Sequence, residues 1–184
     1  MEDFLEVVDK EGKVLSLAPK SLIHKNPSML HKVVHVIVFN SKGEILLQKR
    51  SYHKDVVVEK WNTSVEGHVM PGESLFAAAK RKLFEELGIL TDSIFFLFTY
   101  IFSNDFESEL VYTYFTVHDG PFNFNRKEVR EIAFWRIDDI QKQLKTDIFT
   151  DSFRQEFINY LHICIYSGFN LNLYVTENKE GLPF

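Results

Sequence analysis

The segment that most constrains the fold of this chain reads VEGHVMPGESLFAAAKRKLFEELGI and spans residues 65–89. Its glycine-containing first part predicts a loop that ends near Met70-Pro71-Gly72. From Ser74 to Leu87 the apolar residues recur at helical spacing, and Gly88 is a natural helix end because glycine readily adopts the left-handed conformation. The segment therefore predicts a loop that leads into an amphipathic helix.

The predicted helix has an apolar side and an adjoining polar arc that carries both signs of charge. The predicted apolar side consists of Leu75, Phe76, Ala79, Leu83 and Leu87, and the polar arc of Arg81, Lys82, Glu85 and Glu86. Such an arc is either an ordinary solvated helix end or a ligand-binding edge. Carboxylates from one helical turn, together with loop carbonyls, supply the hard oxygen ligands that Mg²⁺ or Mn²⁺ prefers.

The remaining segments predict a mixed fold of strands and helices. Strand patterns occur in FLEVVD, KVLSLA, VVHVIVFN, EILLQKR, IFFLFTYIF, ELVYTYFTV and IAFWRI, whereas SLIHKNPSMLH reads as irregular. Helices are predicted from Asp138 to Leu144 and over SFRQEFINYLHICIY. The pattern favours an α/β (α+β) fold with a mixed β-sheet and helices on both faces.

Length and charge limit the classes of partner. With 184 residues, 45% of them hydrophobic, the chain suits one well-buried domain, and we expect a single domain over residues 1–184. The formal charge of −5 and the lack of a long basic run argue against binding to a nucleic acid polymer. An anionic ligand would have to be met by a local basic cluster.

Membrane insertion and secretion are not indicated by the sequence. The apolar runs are short and interrupted, and the first residues, MEDFLEVVDK, are acidic where a signal peptide would be basic and then apolar. The single cysteine, Cys164, cannot form an internal disulfide. We therefore expect a cytoplasmic protein that does not bind membranes, and the sequence leaves its oligomeric state open.

The 65–89 segment resembles the Nudix box. The positions that fit its spacing are Gly67, Glu73, Arg81, Leu83, Glu85, Glu86, Gly88 and Ile89. The resemblance implies a Nudix-type α/β/α sandwich and a divalent ion, Mg²⁺ or Mn²⁺, that neutralises a diphosphate. The chain departs from the pattern at Lys82, which stands where Nudix hydrolases place the first glutamate of the helix.

A narrower resemblance joins the chain to type I isopentenyl diphosphate isomerases, a Nudix branch in which that helix position is also basic. It is carried by WNTSVEGH and extends from about Lys20 to Phe153. The resemblance implies one tightly held divalent metal on three histidines and two glutamates, which here are His24, His31, His68, Glu107 and Glu109. Such a donor set suits Zn²⁺, Mn²⁺ or Fe²⁺ better than Mg²⁺, and an exchangeable Mg²⁺ is expected near Glu86.

The same resemblance assigns the remaining site residues. The basic side chains expected at the substrate diphosphate are Lys20, Arg50, Lys54 and Lys82. Glu66 occupies the position of the isomerase cysteine that transfers protons with the second glutamate of Glu-x-Glu, here Glu109. A carboxylate can also transfer protons or activate water, so the candidate catalytic residues are Glu66, Glu85 and Glu109.

Three functions follow from these assignments. The first is a metal-dependent hydrolase that cleaves a diphosphate linkage in a nucleoside or prenyl diphosphate. The second is an enzyme similar to isopentenyl diphosphate isomerases, which Glu66 opposes. The third is a diphosphate-binding module without turnover, in which Glu66 and Lys82 mark a site that only binds.

Overall fold

Nine β-strands and four α-helices make up the described part of a computed structural model, which covers residues 2–50, 60–124, 126, 129–171 and 174. The predicted mixture of strands and helices is confirmed. The elements fall into two compact units. One comprises Met1–Ile37, Val65–Thr116 and Phe122–Phe124, and the other comprises Val38–Ser64, Val117–Pro121 and Asn125–Phe184. The single domain expected over residues 1–184 stays a prediction.

Antiparallel strand pairs form the framework of the first unit. Its strands are β1 (Phe4–Val8), β2 (Val14–Pro19), the first part of β3 (Leu30–Phe39), β6 (Val65–His68), β7 (Phe95–Ser103) and β8 (Ser108–Val117). Strands β1, β2, β7 and β8 form where strand patterns in the sequence predict them, and they pair as the hairpins β1–β2 and β7–β8. Strand β6 pairs with β3, with Val33 opposite His68 and Val36 opposite Val65. This pairing brings the Nudix-box segment beside β3.

A short helix, α1 (Lys20–Ile23), connects the first hairpin to β3. The irregular segment predicted from Ser21 is therefore partly wrong, because its first residues are helical. The apolar side of α1 explains the difference: Ile23 is fully buried against Leu5, Val7 and Ala18 of the hairpin. The chain is irregular only from His24 to Met29, where the Asn26 side chain accepts a hydrogen bond from the backbone N–H of Ser28.

Helix α2 (Leu75–Leu87) is the predicted helix of the Nudix-box segment. The side-chain hydroxyl of Ser74 accepts a hydrogen bond from the backbone N–H of Ala77, which caps the first turn. The buried residues are Ala78, Ala79, Leu83, Glu86 and Leu87. The prediction of Phe76 as a buried residue is wrong, since its ring is exposed beneath the Lys80 ammonium. Alanine at 78 and 79 lets the helix pack closely instead.

The end of α2 yields a stability prediction. Gly88 has a φ of 70° and closes the helix, as expected for a glycine in the left-handed conformation. A Cβ atom at this position would also lie 2.9 Å from Cβ of Asn123. We expect Gly88→Ala to lower the free energy of unfolding by about 1–2 kcal/mol, measured by urea denaturation. The matched control is Gly72→Ala, because Gly72 has a φ of 76° but a Cβ atom there would meet no atom within 4 Å. We expect this variant to lose less stability, since it carries only the cost of the left-handed backbone conformation. Equal losses would contradict a clash with Asn123.

The described part of the second unit contains three further strands and an aromatic core. Its elements are the end of β3, β4 (Ile45–Arg50), β5 (Trp61–Asn62), β9 (Val129–Trp135), α3 (Ile137–Gln143) and α4 (Asp151–Tyr166). Strand β4 pairs antiparallel with both β5 and β9. The buried rings of this unit form a row in which each contacts the next, from Phe149, just before α4, to Phe153, Phe157 and Tyr160 within α4. In the described ranges, no helix combines the length and apolar character needed to cross a lipid bilayer.

Candidate active site

Three imidazoles meet within the first unit, and each comes from a different element. His24 follows α1, His31 lies in β3, and His68 ends β6. Because Val33 pairs with His68 and strand side chains alternate, His31 and His68 lie on the same face. The ring centroids are 4.9–5.6 Å apart, and Nε2 of His24 lies 2.9 Å from Nε2 of His68.

Two carboxylates approach the histidines from the β7–β8 hairpin. Glu107 immediately precedes β8, and its backbone N–H donates to the Asn104 side chain in the hairpin turn. A carboxylate oxygen of Glu107 lies 3.2 Å from Nδ1 of His24. Donor atoms of His31, Glu107 and Glu109 lie within 4.8 Å of one another, as do those of His24, His31 and His68. The structure thus brings all five predicted metal ligands together in two groups that share His31.

The surroundings of His31 fit a metal ligand. The residue is 0% exposed, and neither of its ring nitrogens has a hydrogen-bond partner among the described residues. Backbone groups of Met29 and Ser108 lie close enough to favour its protonated form but do not meet hydrogen-bond geometry. A buried polar group without a partner destabilises a fold, whereas a divalent ion would satisfy a ring nitrogen. The 2.9 Å separation of the His24 and His68 nitrogens also suits two ligands of one ion.

Two of the three imidazoles, those of His31 and His68, are held in the neutral form that binds metals. Burial, followed by the charge of His24, lowers the pKa of His31 from 6.5 to about 4. Burial also lowers the pKa of His68 well below 6.5, and the positive charge of Lys20 adds to this effect. A low pKa favours metal binding because a proton does not compete for the nitrogen lone pair near neutral pH.

The low pKa of His31 predicts a pH dependence of folding in chelator-treated protein. Between pH 6.5 and 4 the unfolded chain binds a proton at His31 that the folded chain does not, so stability is full above pH 6.5 and falls as the pH drops. The loss reaches about 3 kcal/mol near pH 4. Urea denaturation at pH 7.5 and 5 measures the change. We expect His31→Leu to flatten the pH dependence, and an unchanged slope in that variant would contradict this assignment.

Arg81 connects the loop of the Nudix-box segment to the metal-ligand cluster. Its guanidinium donates to both carboxylate oxygens of Glu73 at 2.8 Å, and to the backbone carbonyl of His68 at 3.1 Å. The hydrogen bonds from Arg81 lower the pKa of Glu73. The sequence marked Arg81 and Glu73 only as motif positions, and the structure adds a role that the sequence did not predict. Arg81 fixes the backbone that carries the His68 imidazole.

The end of α2 places Lys82 between two glutamates. Its ammonium lies 2.9 Å from a carboxylate oxygen of Glu86 and 3.3 Å from one of Glu85. The Glu86 carboxylate is almost fully buried, whereas Glu85 is exposed and also pairs with Arg81 at 3.4 Å. The positive charges of Lys20 and Lys82 both lower the pKa of His68, so these two predicted phosphate ligands lie near the cluster.

The predicted catalytic residue Glu66 lies on β6, two residues before His68. Side chains two residues apart on a strand share a face, and Glu66 is opposite His35 in the pairing with β3. Glu66 is half-buried. The two other predicted phosphate ligands cannot be placed in the same way, since Lys54 and the side chain of Arg50 lie outside the described residues.

Sequence comparisons match the chain to one family model and to curated relatives. Residues 29–157 match the NUDIX domain. The chain is 33% identical to an isopentenyl-diphosphate Delta-isomerase of Pectobacterium atrosepticum over 144 residues, or 75% of this chain and 79% of the relative. A second isomerase, from Streptomyces coelicolor, is 40% identical over 85 residues, and an uncharacterized Nudix hydrolase of Listeria monocytogenes is 44% identical over 66 residues. These two matches cover 46% and 36% of this chain, and 43% and 39% of the relatives.

Comparison with solved structures supports the same fold. A crystal structure from Deinococcus radiodurans superposes with a TM-score of 0.73 at 18% sequence identity, covering 85% of this chain and 98% of the other. At this identity the likeness concerns the fold alone. Together with the family match, it confirms the predicted fold class, a Nudix-type α/β/α sandwich with a mixed β-sheet.

Proposed function

Because the chain belongs to the Nudix domain family, in the branch similar to isopentenyl-diphosphate Delta-isomerases, we propose that it is a metal-dependent hydrolase of small molecules. Its substrate contains a diphosphate linkage, in either a nucleoside or a prenyl diphosphate. One observation supports the proposal most directly. Four metal donors lie around a fifth, the buried His31, whose ring nitrogens have no hydrogen-bond partner in the described part of the chain.

The proposed metal is bound by His24, His31, His68, Glu107 and Glu109. Three imidazoles and two carboxylates suit Mn²⁺, Fe²⁺ or Zn²⁺, and the Nudix-box resemblance by itself would lead to Mg²⁺ or Mn²⁺. When bound, such an ion would neutralise phosphate oxygens and lower the pKa of a bound water molecule. The presence of imidazoles argues for a transition metal in the cluster itself.

Basic side chains and a carboxylate supply the rest of the proposed chemistry. Lys20 and Lys82 are near enough to His68 to affect its pKa and can attract a diphosphate, and Arg50 and Lys54 are the further predicted phosphate ligands.

Glu66 is our first candidate for the base that removes a proton from the attacking water, since it shares a strand face with His68. Oxygen from water would bond to phosphorus as the bond to the leaving phosphate or alcohol breaks. Glu85 and Glu109 are the alternative bases.

A substrate panel tests hydrolysis. Nucleoside di- and triphosphates and prenyl diphosphates are incubated with the protein and Mg²⁺ or Mn²⁺, and release of phosphate or pyrophosphate is measured. We expect release from at least one class, incorporation of ¹⁸O from labelled water into the product phosphate, and loss of both in EDTA. Glu66→Gln, which keeps the shape of the side chain, is expected to slow the reaction by about 100-fold. Tight binding without release at high protein concentration would instead favour the diphosphate-binding module.

Isomerisation is the second candidate, favoured by the names of the relatives and by the five-donor cluster. The difficulty is that Glu66 replaces the cysteine and the chain contains no cysteine other than Cys164, in α4. Isopentenyl diphosphate in D₂O provides the test, because isomerisation places deuterium in the dimethylallyl methyl group without releasing phosphate. Deuterium incorporation by the native protein would favour isomerisation over hydrolysis. Incorporation that appears only in Glu66→Cys would show that position 66 selects between the reactions.

A further inference from the structure

We propose that the Lys82 ammonium takes the place of a divalent cation on Glu86. The only divalent ion that this site requires is then the one bound by the His/Glu cluster, which consists of His24, His31, His68, Glu107 and Glu109. The resemblance to the isomerases leads to the expectation of a tightly held ion in the cluster and an exchangeable Mg²⁺ near Glu86. The contacts of Lys82 point to a different arrangement, in which a fixed positive charge of the protein neutralises that carboxylate. The inference rests on the proposed function only in treating the His/Glu cluster as a metal site.

The ion pair between Lys82 and Glu86 is shielded from solvent. The two side chains are 13% and 4% exposed, and their charged atoms are 2.9 Å apart. An exposed lysine–glutamate pair exchanges easily with dissolved cations, because water screens both charges. Here the attraction acts in a medium of lower polarity, and an incoming ion would have to displace a well-placed ammonium before it could bind Glu86.

The Lys82 side chain is also fixed by its hydrocarbon part. A Cβ atom at position 67 would overlap the Cγ, Cδ and Cε atoms of Lys82, so the lysine chain lies directly over Gly67. Any other residue at 67 would force these three carbons to move. Gly67 therefore allows β6 and α2 to hold the lysine with its ammonium directed at Glu86 and Glu85.

Charge repulsion explains why the ammonium and a second ion would exclude each other. A divalent ion binds a carboxylate oxygen at about 2.0–2.6 Å. The ammonium nitrogen is already 2.9 Å from that carboxylate, so the two cations would lie only a few ångströms apart on one anion. Like charges at such a distance disfavour joint binding strongly. The lysine, unlike an exchangeable ion, is present at any metal concentration.

Counting bound Mn²⁺ tests the inference without any substrate turnover. Free Mn²⁺ is measured by electron paramagnetic resonance during titration of the metal-free protein, first alone and then with the non-cleavable anion methylenediphosphonate. We expect about one Mn²⁺ per native chain in both conditions. In Lys82→Met, which keeps the hydrocarbon chain and removes the charge, we expect about two ions per chain. The double variant Lys82→Met/Glu86→Gln should return to one.

Control variants distinguish the effect of the Lys82 charge from a general loss of charge on α2 and from unfolding. Lys80→Met removes the same charge from the same helix, from a lysine whose partner is Asp92, and should leave the count at one. Lys82→Gln provides a second neutral variant if Lys82→Met unfolds on heating at a markedly lower temperature. Two ions on the native chain, one of which is lost in Glu86→Gln, would overturn the inference, as would a count of one in both Lys82 variants.

Failure of the proposed function gives a different result. If the His/Glu cluster binds no ion, the native chain binds none, and His31→Leu changes nothing. The inference about Lys82 is still supported in that case if Lys82→Met gains one ion that Glu86→Gln removes. It is overturned if neither neutral variant gains an ion.

Discussion

Replacement of His31 by leucine is expected to abolish tight metal binding while stabilising the metal-free protein. His31 belongs to both groups of metal donors, so its loss leaves each group incomplete. Removing a residue that only hydrogen-bonds to a metal ligand typically weakens metal affinity about 10–100-fold. Removing His31, a ligand common to both groups, should therefore weaken the affinity more than about 100-fold. Metal-dependent release of phosphate should fall at least as far.

The gain in stability has an independent physical cause. In the metal-free fold the buried His31 ring carries two nitrogens without hydrogen-bond partners within the described ranges. Unpartnered buried polar atoms cost about 1–3 kcal/mol each, a cost that leucine does not have. We expect the free energy of unfolding of the metal-free variant to rise by about 1–2 kcal/mol, measured by urea denaturation at pH 7.5. Opposite changes in stability and metal affinity are the mark of a ligand position.

His35→Leu is the matched control. His35 lies on the same strand, is 1% exposed and faces the same side as His31, but it belongs to neither group of donors. We expect this variant to keep Mn²⁺ binding within about threefold of the native affinity. If His31→Leu binds Mn²⁺ as tightly as the native chain does, His31 is an ordinary core histidine and the proposed metal site is wrong.

Replacement of Arg81 by alanine should weaken both the fold and the metal site. The variant leaves the Glu73 carboxylate, which is 16% exposed, without its two short hydrogen bonds, and it removes the donor to the His68 carbonyl. The Arg81–Glu73 ion pair is partly exposed to solvent, which places it between surface pairs and buried pairs. We therefore expect the free energy of unfolding to fall by about 2 kcal/mol. Mn²⁺ affinity should fall about 10-fold or more, because Arg81 orients a ligand without touching the ion.

Arg81→Lys and Arg154→Ala complete the test of this role. Lysine keeps the charge but cannot donate two parallel hydrogen bonds, so Arg81→Lys should recover only a small part of both losses. Arg154 is a comparably exposed arginine, in α4, whose guanidinium pairs with Asp151 at 2.6 Å. Arg154 also donates to the backbone carbonyl of Thr146, so its alanine variant likewise removes a carboxylate pair and a bond to a carbonyl, but it should leave Mn²⁺ affinity unchanged. Full recovery in Arg81→Lys would show that only charge matters at this position.

The sequence was informative wherever short-range patterns determine structure. The helix predicted from Ser74 to Leu87 is found from Leu75 to Leu87 and ends at Gly88 as predicted, and the structure shows Ser74 as its cap. The four strands β1, β2, β7 and β8 follow from strand patterns in the sequence, whereas only the structure shows that β7 pairs with β8. The errors at Phe76 and α1 arose where packing against another element, rather than local periodicity, decided which side is buried.

For the candidate site, too, the sequence predicted the residues but not how they come together. The resemblance to the isomerases selected His24, His31, His68, Glu107 and Glu109. These residues come from three separate parts of the chain, so no local rule could bring them together. Their approach depends on the register of β6 against β3 and on the turn that holds Glu107. A shift of one residue in that register would turn His68 to the opposite face.

By itself, the sequence determined the kinds of side chain available to this protein: a helix with Lys82 close to Glu86, glutamate at position 66, and histidines and glutamates that match the ligand positions of the isomerases. Tertiary structure alone decided which of these atoms meet, that Arg81 holds the His68 backbone, and that Lys82 lies over Gly67 against a buried carboxylate. The physical reason is that composition and periodicity specify local conformation and polarity. Distances between charged groups, and the burial that strengthens their interactions, arise only when separate elements pack.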